Sequence, residues 1–302
     1  MQTENLEEIT ITMDQDLYDE VSKVCTELGT TIEEVTVEFL KFCIVPENLD
    51  NSNKFILMYL FQRKQGRKQM NYVMSDIHGN SERFGNVMQK INLQPDDTLY
   101  ILGDIIDRYP DGIRLLRKIM KMPNAKMLLG NHEHMMMDAL ANPLDCADEW
   151  SREYERSSMM RLWYSNGGEV THRYLKHIRK ELRQEVFDFI DTLPLNIEIA
   201  VNGQKYLLIH GGVEKNYRPL FSKYNNSKEY AVWSRKSYHE MIPDDVILIF
   251  GHTPTNHMQS SIPMQIWKCG NYIDIDCGCG YGRIGRLACL RLEDMTEFYS
   301  DM

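Results

Sequence analysis

Three stretches of the chain share one arrangement, in which an apolar run ends in acidic, amide or imidazole side chains. Residues 72–79 read Tyr-Val-Met-Ser-Asp-Ile-His-Gly, residues 99–108 read Leu-Tyr-Ile-Leu-Gly-Asp-Ile-Ile-Asp-Arg, and residues 126–133 read Lys-Met-Leu-Leu-Gly-Asn-His-Glu. Such runs, with a helical pattern between them at residues 112–120, predict an α/β fold. The carboxyl ends of neighbouring strands meet at one edge of a sheet, so we expect these polar side chains to lie together.

The same arrangement returns in the second half of the chain. Residues 206–210 end in His210, and residues 246–252 end in Gly251 and His252. Two further apolar runs, residues 272–276 and 287–292, are expected to complete a second sheet. Residues 138–192 are mostly polar with a helical pattern, which predicts a helical cap inserted between strands.

Composition excludes several classes of protein. Of the 302 residues, 43% are hydrophobic and 26% are charged, which is typical of a soluble globular protein with one large and one small domain. No apolar run approaches the roughly 20 residues that cross a bilayer, and the N-terminus lacks the features of a signal peptide. Seven cysteines at irregular spacing favour reduced thiols over disulfides. We therefore expect a cytoplasmic protein without membrane contact.

The first 46 residues have a pattern of their own. Residues 8–13 alternate between apolar and polar, which predicts a strand, and Asp14 is placed to cap a helix that Gly29 ends. Thr31 and Glu34 have the spacing of a capping box for a second helix, which Pro46 stops. This strand-helix-helix module resembles the ribbon-helix-helix fold. It is too small to bury much surface alone, and the resemblance implies a homodimer formed through residues 1–46.

Charge argues against DNA as the partner of this module. Residues 1–50 contain thirteen acidic residues and two lysines, a net charge of −11, which leaves the rest of the chain at +1. Ribbon-helix-helix proteins read bases with outward strand side chains, here Glu8, Thr10 and Thr12. Phosphate contacts supply most of the affinity for DNA, and this segment has few cations to make them. We therefore expect the module to dimerise, and residues 47–70 to connect it to a domain at residues 71–302.

The polar residues at the predicted strand ends suit metal ions and phosphate. Asp76 and His78 are two residues apart, so in an extended chain both point the same way and can hold one cation. Asp104 and Asn131 each follow a glycine that permits a sharp turn and offer hard oxygen ligands, while Arg108 can clamp a phosphate.

Taken in order, these motifs resemble the calcineurin-like metallophosphoesterases. The motifs are Asp-x-His at 76–78, Gly-Asp-x-x-Asp-Arg at 103–108, Gly-Asn-His-Glu at 130–133, His-Gly-Gly at 210–212 and Gly-His-Thr at 251–253. Within that superfamily the chain is similar to the bacterial serine/threonine phosphoprotein phosphatases and their diadenosine-tetraphosphatase relatives, over residues 71–293. The resemblance implies a four-layer β-sandwich flanked by helices, at residues 71–302.

The resemblance also implies roles for individual residues. Two divalent metal ions are expected, with manganese the expected ion and iron or zinc the alternatives. The first ion would be bound by Asp76, His78 and Asp104, and the second by Asp104, Asn131, His210 and His252. The implied catalytic residues are His132 as proton donor, Asp107 as the residue that orients it, and Arg108. The implied contacts to the substrate phosphate are Arg108, Asn131, Arg235 and Tyr281.

The substrate is less determined than the chemistry. Residues 276–279 read Asp-Cys-Gly-Cys where the family commonly has Asp-Thr-Gly-Ala, and the loop to Arg286 is longer than usual. The first hypothesis is a phosphatase acting on phosphoserine, phosphothreonine or phosphotyrosine of proteins. One alternative is hydrolysis of diadenosine polyphosphates or other nucleotides. Another is a regulator that binds a protein partner through its acidic N-terminal module.

Overall fold

The computed structural model of the protein describes residues 15–27, 29–34, 69–146, 148–261 and 263–301. The chain divides into two compact units, residues 1–68 and residues 69–302. None of the helices in the described ranges is long and apolar enough to span a bilayer.

The described part of the first unit contains helix α1, Gln15–Glu27. The helix ends as predicted at Gly29, whose φ is +69°, because the N–H of Gly29 donates to the carbonyl of Thr26 (3.1 Å) and that of Thr30 to the carbonyl of Cys25 (2.9 Å). The predicted capping box is present: the N–H of Thr31 donates to Glu34 Oε2 and the N–H of Glu34 to Thr31 Oγ1, both at 3.2 Å. The predicted strand at residues 8–13, the cap at Asp14 and the rest of the second helix lie outside the described residues.

The described part of the second unit consists of strands and helices in the order expected of an α/β protein. Its strands are β1 Asn71–Met74, β2 Thr98–Ile101, β3 Ala125–Met127, β4 Asn196–Val201, β5 Gln204–Ile209, β6 Val246–Phe250, β7 Trp267–Cys269, β8 Tyr272–Asp274, β9 Ala288–Arg291 and β10 Glu297–Tyr299. Its α-helices are α2 Ser81–Ile91, α3 Gly112–Ile119, α4 Asn131–Leu140, α5 Glu149–Ser165, α6 Glu169–His177, α7 Lys180–Asp191 and α8 Ser227–Trp233. Single 3-10 turns occur at Glu214–Asn216, Pro219–Phe221, Ser237–His239 and Thr255–His257.

The strands form two five-stranded mixed sheets. The first has the order β10-β9-β1-β2-β3, in which β1, β2 and β3 are parallel. The second has the order β4-β5-β6-β8-β7, in which β5, β6 and β8 are parallel and the edge strands are antiparallel to their neighbours. The parallel core of each sheet carries the predicted motif segments at its carboxyl ends.

One strand was assigned to the wrong sheet from the sequence. Residues 287–292 were expected to complete the second sheet, but β9 lies in the first sheet, antiparallel to β1, with Leu290 opposite Val73. Its inward side chains, Ala288 and Leu290, lie in the core that both sheets share. Because an apolar pattern that faces a shared core suits either sheet, it does not determine the strand's neighbour. The run at 272–276 does belong to the second sheet, as β8.

Alternate residues of the strands face different layers. In β1, Tyr72 and Met74 pack with Phe84 of α2, whereas Val73 packs with Leu208 and Ile249 of the second sheet. On the outer face of the second sheet a separate cluster contains Leu207, Leu248 and Phe250, with Tyr238 and Met258 from the short helical segments packed against it. The order helix, sheet, sheet, helical segment is the predicted four-layer α/β sandwich. Helices α5, α6 and α7, which connect α4 to β4, occupy the segment predicted to be a helical cap.

Candidate active site

The loops that follow the parallel strands adopt an uncommon backbone conformation. Six of the residues predicted for the site have a positive φ, between +51° and +71°: Asp76, His78, Asp104, Asp107, Arg108 and His252. Left-handed backbone is uncommon for residues other than glycine and tends to collect at functional sites. Backbone hydrogen bonds hold the first two loops together, from His78 to the carbonyl of Asp104 (2.9 Å) and from Gly79 to the carbonyl of Ile105 (2.6 Å).

Asp104 lies between two groups of buried side chains. Its Oδ2 is 3.9 Å from His78 Nε2, and that nitrogen is 3.7 Å from Asp76 Oδ1. Its Oδ1 is 3.6 Å from His210 Nε2. The four residues are at most 2% exposed, so the structure places a carboxylate with imidazoles on both sides, away from solvent.

The second group converges on an amide oxygen. Asn131 Oδ1 lies 3.0 Å from His210 Nε2 and 2.7 Å from His252 Nδ1. Asp76 connects the two groups, because its Oδ2 accepts hydrogen bonds from Ser75 Oγ (2.5 Å) and from the backbone N–H of His252 (3.0 Å). The structure therefore brings together all six residues that the sequence assigned to metal binding.

The protonation pattern of these groups fits bound cations. The Nδ1 of His210 lies 2.6 Å from the carbonyl of Leu102 and donates to it, so the lone pair of Nε2 faces the carboxylate of Asp104. His78 is arranged in the same way, with Nδ1 3.3 Å from the carbonyl of Ile106. Burial lowers the pKa of both imidazoles, which keeps them neutral. Lone pairs and a carboxylate that face one another in a buried site repel unless a cation lies between them.

Two sets of donor atoms could each hold an ion. His78, Asp104 and His132 form one set and Asp104, His210 and His252 the other, with the atoms of each set within 4.8 Å of one another. Burial raises the pKa of Asp104 well above its usual range, reinforced by the nearby carboxylates of Asp76 and Glu133. Divalent cations would compensate this buried negative charge. The residues present thus fit two metal ions that share Asp104.

A hydrogen-bonded chain leads from the site into the helical cap. His132 Nδ1 donates to Asp107 Oδ2 (2.7 Å), and Trp163 Nε1 of helix α5 donates to the same oxygen (2.8 Å). The backbone N–H of Asp107 donates to Thr171 Oγ1 of helix α6 (3.0 Å). Burial alone would lower the pKa of His132, but the carboxylates of Asp104 and Asp107 outweigh it and raise that pKa. Asp107 therefore fixes the imidazole of His132 through Nδ1, with Nε2 left beside Arg108 and Asp104.

Two arginines lie beside the buried groups. Arg108 Nη2 is 3.3 Å from His132 Nε2, and the guanidinium carbon of Arg108 is 4.9 Å from the centre of the Tyr281 ring. Arg235 Nη1 donates to the carbonyl of His252 (3.4 Å), and its charge lowers the pKa of His252 in addition to burial and His210. The predicted phosphate contacts Arg108, Arg235 and Tyr281 thus border the site.

No role was predicted from the sequence for Glu133, Trp163 or Thr171. Glu133 is fully buried and accepts hydrogen bonds from the backbone N–H groups of Asp104 (2.9 Å), Ile105 (2.9 Å) and Ile106 (3.3 Å). It thereby fixes the loop that carries Asp104. A glutamate in the first turn of a helix is usually solvated, so its signal in the sequence is its place as the last residue of the Gly-Asn-His-Glu motif at 130–133.

Comparisons with known proteins agree with this geometry. The family model described as calcineurin-like phosphoesterase matches residues 72–277. The chain is 35% identical over 272 residues to the symmetrical bis(5'-nucleosyl)-tetraphosphatase of Photorhabdus laumondii, which covers 75% of this chain and 95% of that protein. It is 24% identical over 240 residues to serine/threonine-protein phosphatase 1 of Salmonella typhimurium, which covers 78% of this chain and 97% of that protein.

A solved structure of similar fold is the cold-active protein-tyrosine phosphatase of a psychrophilic Shewanella species, with 16% identity and a TM-score of 0.43 over 77% of this chain and 80% of that chain. The family match contains strands β2 to β8 and all but the first residue of β1, together with every residue of the two donor sets, and strands β9 and β10 of the first sheet lie beyond it. The chain belongs to the calcineurin-like phosphoesterase family and is a metallophosphoesterase, a metal-dependent hydrolase of phosphate esters.

Proposed function

We propose that the chain is a phosphatase that hydrolyses phosphomonoesters of serine, threonine or tyrosine in proteins. The observation that supports this most is the position of Asp104, between two buried donor sets and next to the His132–Asp107 pair. Asp76, His78 and Asp104 would hold one ion, and Asp104, Asn131, His210 and His252 the other. The mixed oxygen and nitrogen donors favour manganese, with iron or zinc as alternatives. When bound, two such ions would supply a hydroxide nucleophile at neutral pH and neutralise charge on the phosphate.

The chain's own residues would bind the ester and protonate the leaving group. Arg108 and Arg235 offer planar guanidinium groups for the phosphate oxygens, and Tyr281 lies against Arg108. His132 would donate a proton from Nε2 to the departing alkoxide, because that nitrogen lies 3.3 Å from Arg108 and therefore next to a phosphate that Arg108 holds. Asp107 would orient the imidazole through Nδ1.

This proposal is tested with manganese-dependent release of phosphate from p-nitrophenyl phosphate and from phosphopeptides. Asp104→Asn should abolish turnover of both, since it removes the carboxylate shared by the two donor sets. Asp96→Asn, the same change at an exposed aspartate, should retain the wild-type rate. Full activity in Asp104→Asn, or no phosphate release by the wild-type protein, would contradict the proposal.

A second candidate is hydrolysis of dinucleoside polyphosphates. The observation that favours it is the 35% identity to a protein named as a symmetrical bis(5'-nucleosyl)-tetraphosphatase, over 95% of that protein's length. A comparison of kcat/KM for phosphopeptides and for diadenosine tetraphosphate, with the same enzyme sample, separates the two candidates.

For the N-terminal module we propose dimerisation through residues 1–46, in a cytoplasmic protein that binds neither DNA nor membranes. The hydrogen bonds that end helix α1 at Gly29, and the capping box formed by Thr31 and Glu34, support the predicted helix-Gly-helix arrangement. Light scattering during size-exclusion chromatography should give twice the mass of one chain. The mass of a single chain, independent of concentration, would contradict the dimer.

A further inference from the structure

A buried arginine in helix α2 bonds to one loop that borders the candidate active site. Arg83 is 9% exposed, and its Nη1 donates to the carbonyl of Cys279 (2.8 Å) while its Nη2 donates to the carbonyl of Gly282 (2.5 Å). In the part of the chain that the structure describes, Arg83 forms no ion pair with a carboxylate. A buried guanidinium is costly unless its donors are bonded, so the two carbonyls fix Arg83 and the loop against each other.

The loop consists of residues 277–286, after strand β8, and we call it the 277–286 loop. Its base is closed, because the N–H of Arg286 donates to the carbonyl of Cys277 (2.9 Å). The buried thiol of Cys279 donates to the carbonyl of Ile77 (3.3 Å), in the loop after β1. Alanine, which the family commonly has in place of this cysteine, could not form that bond. The departure from the family pattern therefore ties the 277–286 loop to the loop that carries the first predicted metal ligands.

The 277–286 loop lies against Arg108 of the candidate active site. The ring centre of Tyr281 is 4.9 Å from the guanidinium carbon of Arg108. The backbone of Gly280 approaches so closely that a Cβ built on it would lie 2.6 Å from Arg108 Nη1 and 2.8 Å from His78 Cδ2. Interiors this closely packed transmit a displacement from one group to the next. The loop therefore limits the positions that the guanidinium of Arg108 can take.

We propose that Arg83 is a positioning residue for phosphate binding, because it holds the 277–286 loop where Gly280 and Tyr281 set the orientation of Arg108. The inference rests on the proposed function for the role of Arg108 in turnover, whereas binding of a phosphate ion by Arg108 needs no turnover. A guanidinium pairs with phosphate oxygens in a planar, bidentate geometry, so a displaced Arg108 binds phosphate less tightly. Arg83 acts through the loop, since both of its Nη atoms are bonded to loop carbonyls.

The test uses the manganese-loaded full chain, with KM and kcat measured for p-nitrophenyl phosphate and the Kd of orthophosphate measured by calorimetric titration. Arg83→Met removes both bonds to the loop and should raise KM and Kd about tenfold, the lower end of what a hydrogen bond to a charged group contributes. The kcat should fall less than about twofold, since a weaker phosphate contact raises KM, whereas a loss of folded or metal-loaded enzyme lowers the apparent kcat. Arg83→Lys keeps the charge and can reach one carbonyl, so it should raise KM and Kd only about threefold.

Two controls separate the positioning role from a general effect on the fold. Lys90→Met changes another cation of helix α2 that donates to a backbone carbonyl, that of Tyr299 (2.9 Å), and it should leave KM, kcat and Kd unchanged. On an Arg108→Ala background, Arg83→Met should change the Kd of orthophosphate less than about twofold, because the residue through which Arg83 acts is already gone. Metal content is measured on every sample and should equal that of the wild-type protein.

An unchanged KM and Kd in Arg83→Met, an equal change in Lys90→Met, the full change on the Arg108→Ala background, or a loss of metal that accounts for the change would each overturn the positioning role. If Arg83→Met does not fold, the same outcomes are read from Arg83→Lys. If the wild-type protein does not hydrolyse p-nitrophenyl phosphate while orthophosphate binding depends on Arg83 through Arg108, the proposed function fails and the positioning role stands. If hydrolysis occurs and neither KM nor Kd depends on Arg83, the positioning role fails alone.

Discussion

Replacement of Trp163 by phenylalanine should slow catalysis without displacing the metal ligands. Asp107 Oδ2 accepts two hydrogen bonds, from His132 Nδ1 at 2.7 Å and from Trp163 Nε1 at 2.8 Å. The other oxygen of this carboxylate is buried and has no hydrogen-bond partner in the described part of the chain. The orientation of Asp107, and through it that of His132, therefore depends on the indole N–H. Trp163→Phe removes that donor and retains an aromatic ring in a fully buried position.

The size of the effect follows from the charge of the acceptor. A hydrogen bond to a charged group contributes about 1.5–3 kcal/mol. Each 1.4 kcal/mol of activation free energy changes a rate by about a factor of ten. If the whole hydrogen-bond contribution is lost in the transition state, kcat falls by roughly 10- to 150-fold. The KM should change little, because Trp163 contacts neither the metal ligands nor the phosphate-binding arginines through the bond that is lost. The smaller ring should also lower the free energy of unfolding by about 1–3 kcal/mol.

The assay is steady-state hydrolysis of phenyl phosphate at saturating manganese, with the metal content of each sample measured. Trp150→Phe is the matched control, since Trp150 lies on the same helix α5, is 74% exposed and stacks on Tyr154. That variant should keep the wild-type kcat. A wild-type kcat in Trp163→Phe, or a loss that is explained by missing metal, would refute the proposed link from the cap to His132.

Three further predictions concern the same loops. In Gly130→Ala the new Cβ would lie 2.2 Å from Asp104 Oδ1 and 2.6 Å from Glu133 Oε2, so metal content and activity should both fall. The control is Gly85→Ala, whose Cβ meets nothing within 4 Å; it should keep activity and raise the free energy of unfolding by about 0.5–1 kcal/mol. Equal activity and metal content in the two variants would contradict the close packing around Gly130. His132→Asn should slow hydrolysis of phenyl phosphate by about 10²- to 10⁴-fold but that of p-nitrophenyl phosphate much less, because nitrophenolate leaves without a proton; an equal loss for both esters would exclude the role of proton donor. Glu133→Ala leaves three buried N–H groups without their acceptor, at a cost of about 1–3 kcal/mol for each group, so the free energy of unfolding in urea should fall by several kcal/mol. A fall of less than about 1 kcal/mol would show that water replaces the carboxylate.

Local sequence patterns predict where the candidate site lies. Asp76 and His78, and later His210 and His252, directly follow apolar runs, and short apolar runs bounded by glycine are strong signals for buried strands. Within each parallel sheet such ends lie side by side, so the proximity of Asp76 to Asp104 and of His210 to His252 followed from position along the chain, whereas the meeting of the two sheets at one site did not. The end of α1 at Gly29 was predictable for the same reason, because a helix cap involves residues close in sequence.

Features that depend on distant partners could not be predicted in the same way. Leu290 faces the shared core whichever sheet β9 joins, and its pairing with Val73 involves residues more than 200 positions apart. The role of Trp163 depends on Asp107, which lies 56 positions earlier on a different element.

The most direct test of a metal centre that shares Asp104 is the number of metal ions bound per chain, measured by inductively coupled plasma mass spectrometry after reconstitution with manganese and removal of free metal. A shared Asp104 predicts two ions in the wild-type protein, about one in His78→Ala and in His210→Ala, and none held firmly in Asp104→Ala. A wild-type chain that retains no stoichiometric metal, or an Asp104→Ala variant that retains two ions, would contradict a centre in which Asp104 is shared by both.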